Sequence, residues 1–180
     1  PLISASLGDV VLSFPAPALN PQGLAFGGGY LWNVCPDNII YQIDPANGSV
    51  VNAFPIPSSS PDGLASDGTF LWFADDGVNM IYKLSQADGS VVDSILAPSD
   101  HIEGIGWDGG YLWCDDYVKG MIYKLDVSSG SVVDSLPAPS SMPRGLAFAG
   151  GYIWYGDSNG LIYQVDPSDG SVVGSFTSPG

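Results

Sequence analysis

The residues best able to do chemistry in this chain stand at one recurring position. Asp62, Glu103 and Arg144 each directly precede a glycine that opens a repeated phrase, Gln22 holds the same place in the first copy, and His101 lies two residues before Glu103. Brought together, Asp62, His101 and Glu103 suit a divalent cation or a general acid and base. The competing interpretation is a solvated loop in which Arg144 balances nearby acids.

A second acidic group follows the recurring tryptophans. Carboxylate oxygens suit hard cations, so calcium or magnesium is the cofactor that this group would take. The alternative, which the sequence favours for most of them, is that each side chain accepts hydrogen bonds from the backbone of its own turn. The metal candidates are Asp75, Asp76, Asp115, Asp116 and Asp157.

The elements that position these residues are copies of one unit. A phrase beginning Gly23-Leu24-Ala25 returns at Gly63, Gly104 and Gly145, in steps of 40, 41 and 41 residues. Each copy continues with an aromatic-Leu/Ile-Trp phrase, an Ile-Tyr phrase and a Gly-Ser-Val-Val phrase. Short β-branched and aromatic runs between turn residues indicate strands. Four antiparallel strands in each unit of about 40 residues predict an all-β fold, a β-propeller of four-stranded blades.

The repeats divide residues 1–180 as a single propeller domain. We assign full repeats to 23–62, 63–103, 104–144 and 145–180, and a half repeat to 2–19, because Gly8-Asp9-Val10-Val11 is a fifth copy of the last phrase. Leu2 to Ser6 would supply part of a preceding third strand. Two arrangements remain open: four blades with a spare outer strand, or a five-position ring with one half-empty blade. In the second, another chain or further sequence would fill the gap, which makes a homo-oligomer or a fragment the expectation.

The phrases over Gly63 to Leu84 resemble the NHL-type and virginiamycin-B-lyase-like propeller repeats, and the likeness extends from about Gly8 to Phe176. The resemblance implies that the first strand of each blade lies innermost and that the residues before it rim one mouth of a channel. The ring would then hold Gln22, Asp62, His101, Glu103 and Arg144. It also implies a metal-dependent lyase or hydrolase with histidine and carboxylates around magnesium; His101, the single histidine, departs from that pattern.

The recurring aromatic residues invite a sugar-binding role, but a ring required in every blade is more simply core. The sequence therefore predicts that Trp32, Trp72, Trp113 and Trp154 pack between sheets. Cys35 and Cys114 belong to blades separated by one whole blade, which is too far for a disulfide. We expect two free thiols.

Composition limits the partners. With 19 acidic residues against four Lys and Arg, the formal net charge is -15, which argues against nucleic acid. No apolar run approaches the roughly 18 residues that would span a bilayer, so membrane insertion is not expected. The acidic composition favours an extracellular or cell-surface setting. The sequence thus predicts a non-catalytic scaffold presenting its channel mouth or one face to a protein, glycan or cation; the alternative is a metal-dependent lyase or hydrolase.

Overall fold

A computed structural model describes residues 8–58 and 60–179 of the chain. Strands fill this part of the molecule, and it contains no helix, so none that is long and apolar enough to cross a membrane. Blade 1 is formed by β1 (Leu24–Gly27), β2 (Tyr30–Cys35), β3 (Ile39–Ile43) and β4 (Val50–Pro55), and blade 2 by β5 (Pro61–Ser66), β6 (Phe70–Asp75), β7 (Met80–Ser85) and β8 (Val91–Leu96).

The second half of the chain repeats this order. Blade 3 is formed by β9 (Ile102–Trp107), β10 (Leu112–Asp116), β11 (Met121–Leu125) and β12 (Val132–Pro137), and blade 4 by β13 (Pro143–Ala149), β14 (Tyr152–Asp157), β15 (Leu161–Val165) and β16 (Val172–Thr177). Within each blade the strands pair antiparallel in chain order. The prediction of an all-β, four-stranded-blade propeller is confirmed.

The last hairpin of each blade turns on a glycine in the left-handed region. Its φ is 75° at Gly48, 74° at Gly89, 70° at Gly130 and 76° at Gly170. A side chain is strained in this conformation, whereas glycine adopts it freely. The recurring Gly-Ser-Val-Val phrase therefore sets where the chain reverses before each outer strand.

Three apolar cores join the blades in sequence. Between blades 1 and 2, Trp32, Ile40 and Phe54 pack against Leu64 and Leu71. Equivalent cores join blade 2 to blade 3 and blade 3 to blade 4. Trp32, Trp72 and Trp113 are each only 1% exposed, which places these rings in the core as the sequence predicted. For Trp154 the prediction is wrong, because this ring is partly exposed and belongs to none of the three cores.

The innermost strands approach so closely that only glycine fits between them. A Cβ atom added at Gly23 would lie 2.5 Å from the backbone nitrogen of Leu64, and one at Gly63 would lie 2.6 Å from that of Ile105. Gly104 abuts Leu146 in the same way, but a Cβ atom at Gly145 would meet nothing within 4 Å. Among residues 8–58 and 60–179, therefore, no inner strand packs on the far side of blade 4.

A side chain from each outer strand rests on the turn glycine of the next blade. Phe54 lies against Gly89, and Ile95 against Gly130. At the N-terminus, Phe14 lies against Gly48 in the same manner. The set is completed by Leu136 against Gly170 and by Phe176 against Gly8.

This set of contacts favours the five-position arrangement. The half repeat lies at the rim between blades 4 and 1. Gly8 contacts Phe176 of blade 4, and Phe14 contacts Gly48 of blade 1. The described residues of the half repeat, from Gly8 onward, supply the outer part of a fifth position. The strand contribution expected from Leu2 to Ser6 lies outside the described residues.

Cys35 and Cys114 are both free and buried. They lie on β2 and β10, in blades that are separated by blade 2. The expected pair of free thiols is therefore present.

Candidate functional site

Four of the predicted ring residues line one cavity of about 480 Å³ at the mouth of the channel. Asp62, Glu103 and Arg144 are each the second residue of an inner strand, β5, β9 and β13 respectively. Gln22 precedes β1, and its backbone N–H donates a 3.0 Å hydrogen bond to the Val34 carbonyl. Each blade therefore contributes one residue from the same place in the repeat.

The single arginine is paired across a blade boundary. Arg144 Nη1 donates a 2.9 Å hydrogen bond to Glu103 Oε1, and the two side chains form an ion pair. The arginine side chain is largely exposed, whereas the glutamate side chain is about three-quarters buried. An exposed pair of this kind contributes little to stability but fixes the direction of the Glu103 carboxylate.

Asp62 is the mouth residue whose ionisation is most disturbed. Its pKa is raised to about 7. Burial is the largest cause, and the negative charges of Asp76, Glu103, Asp75 and Asp115 add to it. A carboxyl surrounded by other carboxyls holds its proton because ionising it adds repulsion. At neutral pH this site therefore exchanges a proton easily and gains from a nearby positive charge.

Asp115, on β10, accepts hydrogen bonds from the inner strand of blade 3. Its side chain is fully buried, and Oδ1 accepts hydrogen bonds from the backbone N–H groups of Gly104 at 2.7 Å and Glu103 at 3.2 Å. Oδ2 is buried without a hydrogen-bond partner. Burial raises the pKa of this carboxyl to about 7, although the two N–H donors act in the opposite direction.

A second cavity of about 390 Å³ adjoins the first and shares Asp62, Glu103 and Arg144 with it. Asp76 lines this cavity, and burial raises its pKa, with the charges of Asp100 and Asp75 adding to the effect and His101 opposing it. The remaining polar lining comes from Ser60, Tyr117, Ser141 and Ser158.

His101 stands beside this mouth and is not among the residues that line either of these two cavities. Its Nε2 lies 3.7 Å from Asp100 Oδ1, and its ring centroid lies 5.1 Å from that of Tyr117. Nδ1 is buried without a hydrogen-bond partner. The structure thus brings Gln22, Asp62, Glu103 and Arg144 together and leaves His101 next to them.

Three of the metal candidates accept hydrogen bonds from their own turns. Asp116 Oδ1 accepts from the backbone N–H groups of Val118 and Lys119, and its Oδ2 lies 3.4 Å from Lys119 Nζ. Asp157 Oδ1 likewise accepts from Asn159 and Leu161, and Asp75 Oδ1 from Gly77. Among residues 8–58 and 60–179 no group of three His, Cys, Asp or Glu side chains is arranged to hold a metal ion. A calcium or magnesium site stays a prediction.

Sequence reasoning did not single out Tyr117 and Ser158, which line the second cavity. Both stand four residues after a recurring tryptophan, a position that Asp76 occupies in blade 2 and Pro36 in blade 1. A repeat position whose residue changes from blade to blade while its neighbours stay constant is the signal that would have found them.

A ring of four-stranded blades about a mouth lined by differing charged side chains defines a β-propeller. Solved structures agree. The chain is similar to Myxococcus xanthus glutaminyl cyclase, with a TM-score of 0.77 and 19% identity over 88% of this chain and 70% of that one. It is also similar to the Neurospora crassa Pan2 WD40 domain, with a TM-score of 0.61 and 17% identity over 87% of this chain and 49% of that one.

A streptogramin B lyase structure aligns with a TM-score of 0.59 and 17% identity, over 93% of this chain and 57% of the lyase. The chain thus spans about half the length of the Pan2 domain and the lyase. No family model matches the sequence, and no curated protein matches it. At these identities the likeness establishes the propeller fold, in agreement with the resemblance found in the repeats, and the fold alone does not assign an activity.

Proposed function

We propose that this propeller is a binding scaffold whose channel mouth takes up a cationic group of a partner protein, the ammonium of a lysine or the guanidinium of an arginine. The observation that carries the proposal is that Asp62 and Glu103 line both of the adjoining cavities, where Arg144 is the paired cation. Asp76 adds a third carboxyl to the second cavity, and the charge of the buried Asp115 also acts on Asp62. Burial, and after it the repulsion between carboxylates, raises the pKa of Asp62. An entering cation would relieve that repulsion, and charge-assisted hydrogen bonds would hold it.

A basic side chain fits this mouth better than a bare metal ion. The carboxylates are divided between blade 2 and blade 3, and in the described part of the chain they form no compact set of ligands. A guanidinium or ammonium spreads several donors outward and can reach separated acceptors. The net charge of -15 adds long-range attraction for a basic partner. The same charge supports an extracellular or cell-surface setting and opposes nucleic-acid binding.

A second candidate function is acid–base catalysis at the same mouth. A carboxyl with a pKa of about 7, such as Asp62, gives and accepts protons efficiently at neutral pH. This supports the alternative of a lyase or hydrolase, with calcium or magnesium as the metal. A glycan ligand has less support, because the rings of Trp32, Trp72 and Trp113 are buried in the cores between blades.

The test measures fluorescence anisotropy of a labelled peptide containing two arginines and two lysines, beside a counterpart with glutamine at those four positions. We expect the basic peptide to bind and the glutamine peptide not to bind. Asp62→Asn should weaken binding about 10-fold, since a charge-assisted contact is lost. Asp93→Asn is the matched control, because Asp93 is exposed on the outer strand β8 and loses the same charge.

Equal binding by the wild-type chain and both variants would overturn the scaffold proposal. A thermal-shift titration with CaCl2 or MgCl2 separates the second candidate. A rise in Tm that Asp62→Asn abolishes, without any peptide binding, would favour the metal-dependent enzyme.

A further inference from the structure

The second cavity of the mouth, of about 390 Å³, is built where the backbone is constant and the side chains are not. In blades 2 to 4, the first residue after the second strand donates its N–H to the carbonyl of the residue just before the inner strand, at 2.9 to 3.2 Å. The donor and acceptor pairs are Asp76 and Ser60, Tyr117 and His101, and Ser158 and Met142. All but His101 line the cavity, and none of its described lining residues comes from blade 1. The repeat therefore varies its chemistry here while the sheets stay the same.

Two carboxyl groups in this cavity are not neutralised by the arginine that shares it. Arg144 is the one lysine or arginine among the described lining residues, and its guanidinium is bonded to Glu103. Asp62 and Asp76 line the same cavity, and among the neighbouring charges that of Asp76 acts most strongly on Asp62. Asp76 Oδ1 is buried, and no described residue donates a hydrogen bond to it. Negative charge and an open acceptor are therefore present for one further cation.

Tyr117 supplies an aromatic wall beside these carboxyls. It is 38% exposed, and its ring is tilted by 50° to that of His101, with 5.1 Å between the centroids. Burial raises the pKa of its phenol, and the charges of Asp76, Glu103 and Asp62 add to the effect. The ring thus stands within the field of the same acidic groups. A cation drawn to them comes close to an aromatic surface, which attracts it further.

The rest of the wall suits the stem and the outer N–H groups of a long side chain. The hydroxyls of Ser60, Ser141 and Ser158 line the cavity and can accept hydrogen bonds. Met142 and Pro143 add apolar surface, and Met142 is 48% exposed. The cavity thus combines a few polar groups with apolar and aromatic lining, as small-ligand sites do.

These features favour a guanidinium over an ammonium. A guanidinium is planar, carries five N–H donors in a fixed fork and stacks on aromatic faces, whereas an ammonium is a compact, strongly hydrated charge. The planar group can bond two carboxyls along its edges while its face rests on Tyr117. The ammonium has no flat face and gives up more hydration when it enters. One guanidinium, that of Arg144, is already accommodated in this cavity.

We propose that the second cavity is a subsite for arginine, which takes the guanidinium of a partner protein in preference to a lysine ammonium. Asp62 and Asp76 are the acceptors, and the ring of Tyr117 is the stacking face. Arg144 stays bonded to Glu103 and keeps that carboxylate from competing for the incoming group. This preference rests on the proposed function, because it specifies which cation the mouth takes up.

The first experiment compares two labelled peptides by fluorescence anisotropy at pH 8. The peptides are identical except that their four basic positions are all arginine in one and all lysine in the other. We expect the arginine peptide to bind about 10-fold more tightly, because at equal charge it adds stacking and a second hydrogen bond. The buffer contains about 150 mM NaCl, which weakens the long-range attraction that both peptides share. The glutamine peptide is the uncharged reference.

Three variants test whether Tyr117 sets the preference. Tyr117→Leu removes the stacking face and should reduce the ratio of the two affinities from about 10 to about 2. Tyr117→Phe keeps the ring and should keep the ratio. Tyr30→Leu is the matched control, because Tyr30 is 37% exposed and lies at the start of β2, in blade 1, outside the lining of the cavity.

Asp76→Asn distinguishes the two cavities, because Asp76 lines only the second of them. It should weaken binding of the arginine peptide about 10-fold, since a charge-assisted hydrogen bond is lost. Asp93→Asn removes the same charge from the outer strand β8 and should leave binding unchanged.

The outcomes separate the arginine preference from the proposed function. Equal binding of the arginine and lysine peptides, both above the glutamine peptide, would overturn the arginine subsite and leave the cation-binding scaffold standing. A preference that survives Tyr117→Leu, or arginine binding that Asp76→Asn does not weaken, would place the arginine elsewhere and also overturn the subsite. No binding of either basic peptide would overturn both proposals.

Discussion

Asp115 holds the inner strand of blade 3 through Gly104. Its Oδ1 accepts the Gly104 N–H at 2.7 Å and the adjacent Glu103 N–H at 3.2 Å, at a point where the register between β9 and β10 shifts. The same place in the other blades is taken by Val34, Ala74 and Gly156. One buried carboxylate therefore sets the backbone that carries Glu103 into the channel mouth.

We expect Asp115→Ala to lower the free energy of unfolding by about 3 kcal/mol, since two buried N–H groups lose their acceptor. Asp115→Asn keeps an acceptor oxygen at this place and should change the stability by less than about 1 kcal/mol. Urea denaturation followed by tryptophan fluorescence measures both. Equal losses for the two variants would mean that the hydrogen bonds to β9 are not what Asp115 contributes.

The raised pKa values of Asp62 and Asp115, both about 7, predict how stability depends on pH. Each carboxyl binds its proton more tightly in the folded chain than in the unfolded chain, where its pKa is about 3.9. Their stabilising contribution is therefore complete below about pH 4 and is lost as pH rises through about 7. Between pH 5 and pH 8, roughly the window of these groups, Tm should fall.

The variant Asp62→Asn should reduce that fall, because it removes one of the two titrating groups. We expect its Tm at pH 8 to exceed that of the wild-type chain by about 3 °C. Asp134→Asn is the control, since Asp134 is exposed on β12 and accepts a hydrogen bond from the adjacent Ser135 N–H. A Tm that rises from pH 5 to pH 8 in the wild-type chain would contradict the pKa shifts.

Two glycines at equivalent places should respond oppositely to alanine. At Gly104 the new Cβ atom would overlap the Leu146 backbone, and the strands must separate, which should cost about 3 kcal/mol. At Gly145 nothing lies within 4 Å, so alanine should be neutral or stabilise by about 0.5 kcal/mol through reduced chain entropy. Guanidinium denaturation of both variants gives the comparison. Similar losses at the two sites would show that Gly145 also faces a packed strand.

The two thiols should be unreactive in the folded protein. Burial raises the pKa of Cys114 well above its usual value, and burial together with the charge of Asp37 raises that of Cys35. Thiol reagents attack the thiolate, which is scarce under these conditions. Mass spectrometry after iodoacetamide treatment at pH 8 should show no added label in buffer and two in denaturant. Recovery of unlabelled, bridged protein from denaturant would indicate a disulfide.

The repeats made the blades predictable because each strand phrase has a constant local cause. The turn glycines at Gly48 and Gly89 need a left-handed φ, and Trp32 and Trp72 fill equivalent places in two successive interblade cores. Such requirements recur in every copy and can be read from spacing alone. The location of the half repeat was not predictable, because it depends on two distant contacts, Phe14 with Gly48 and Phe176 with Gly8.

The mouth was predictable only as a position. The place before each inner-strand glycine could be named from the sequence, and the structure puts Asp62 and Glu103 there in one cavity. The buried Asp115, which accepts the N–H groups of Glu103 and Gly104, stands where the other blades have Val34, Ala74 and Gly156, so no recurring motif signals this role. The pairing of Arg144 with Glu103 likewise depends on how two blades are set side by side.

The rim contacts have a mechanical consequence. Each aromatic or aliphatic side chain that rests on a turn glycine links neighbouring units at their periphery, and the segment bearing Gly8 and Phe14 is the link that joins the last unit back to the first. Without that segment, the four blades would be joined only through the three interblade cores and their rim contacts. The segment from Gly8 to Phe14 would therefore limit how far blades 1 and 4 can separate, and it would do so at the circumference rather than at the axis.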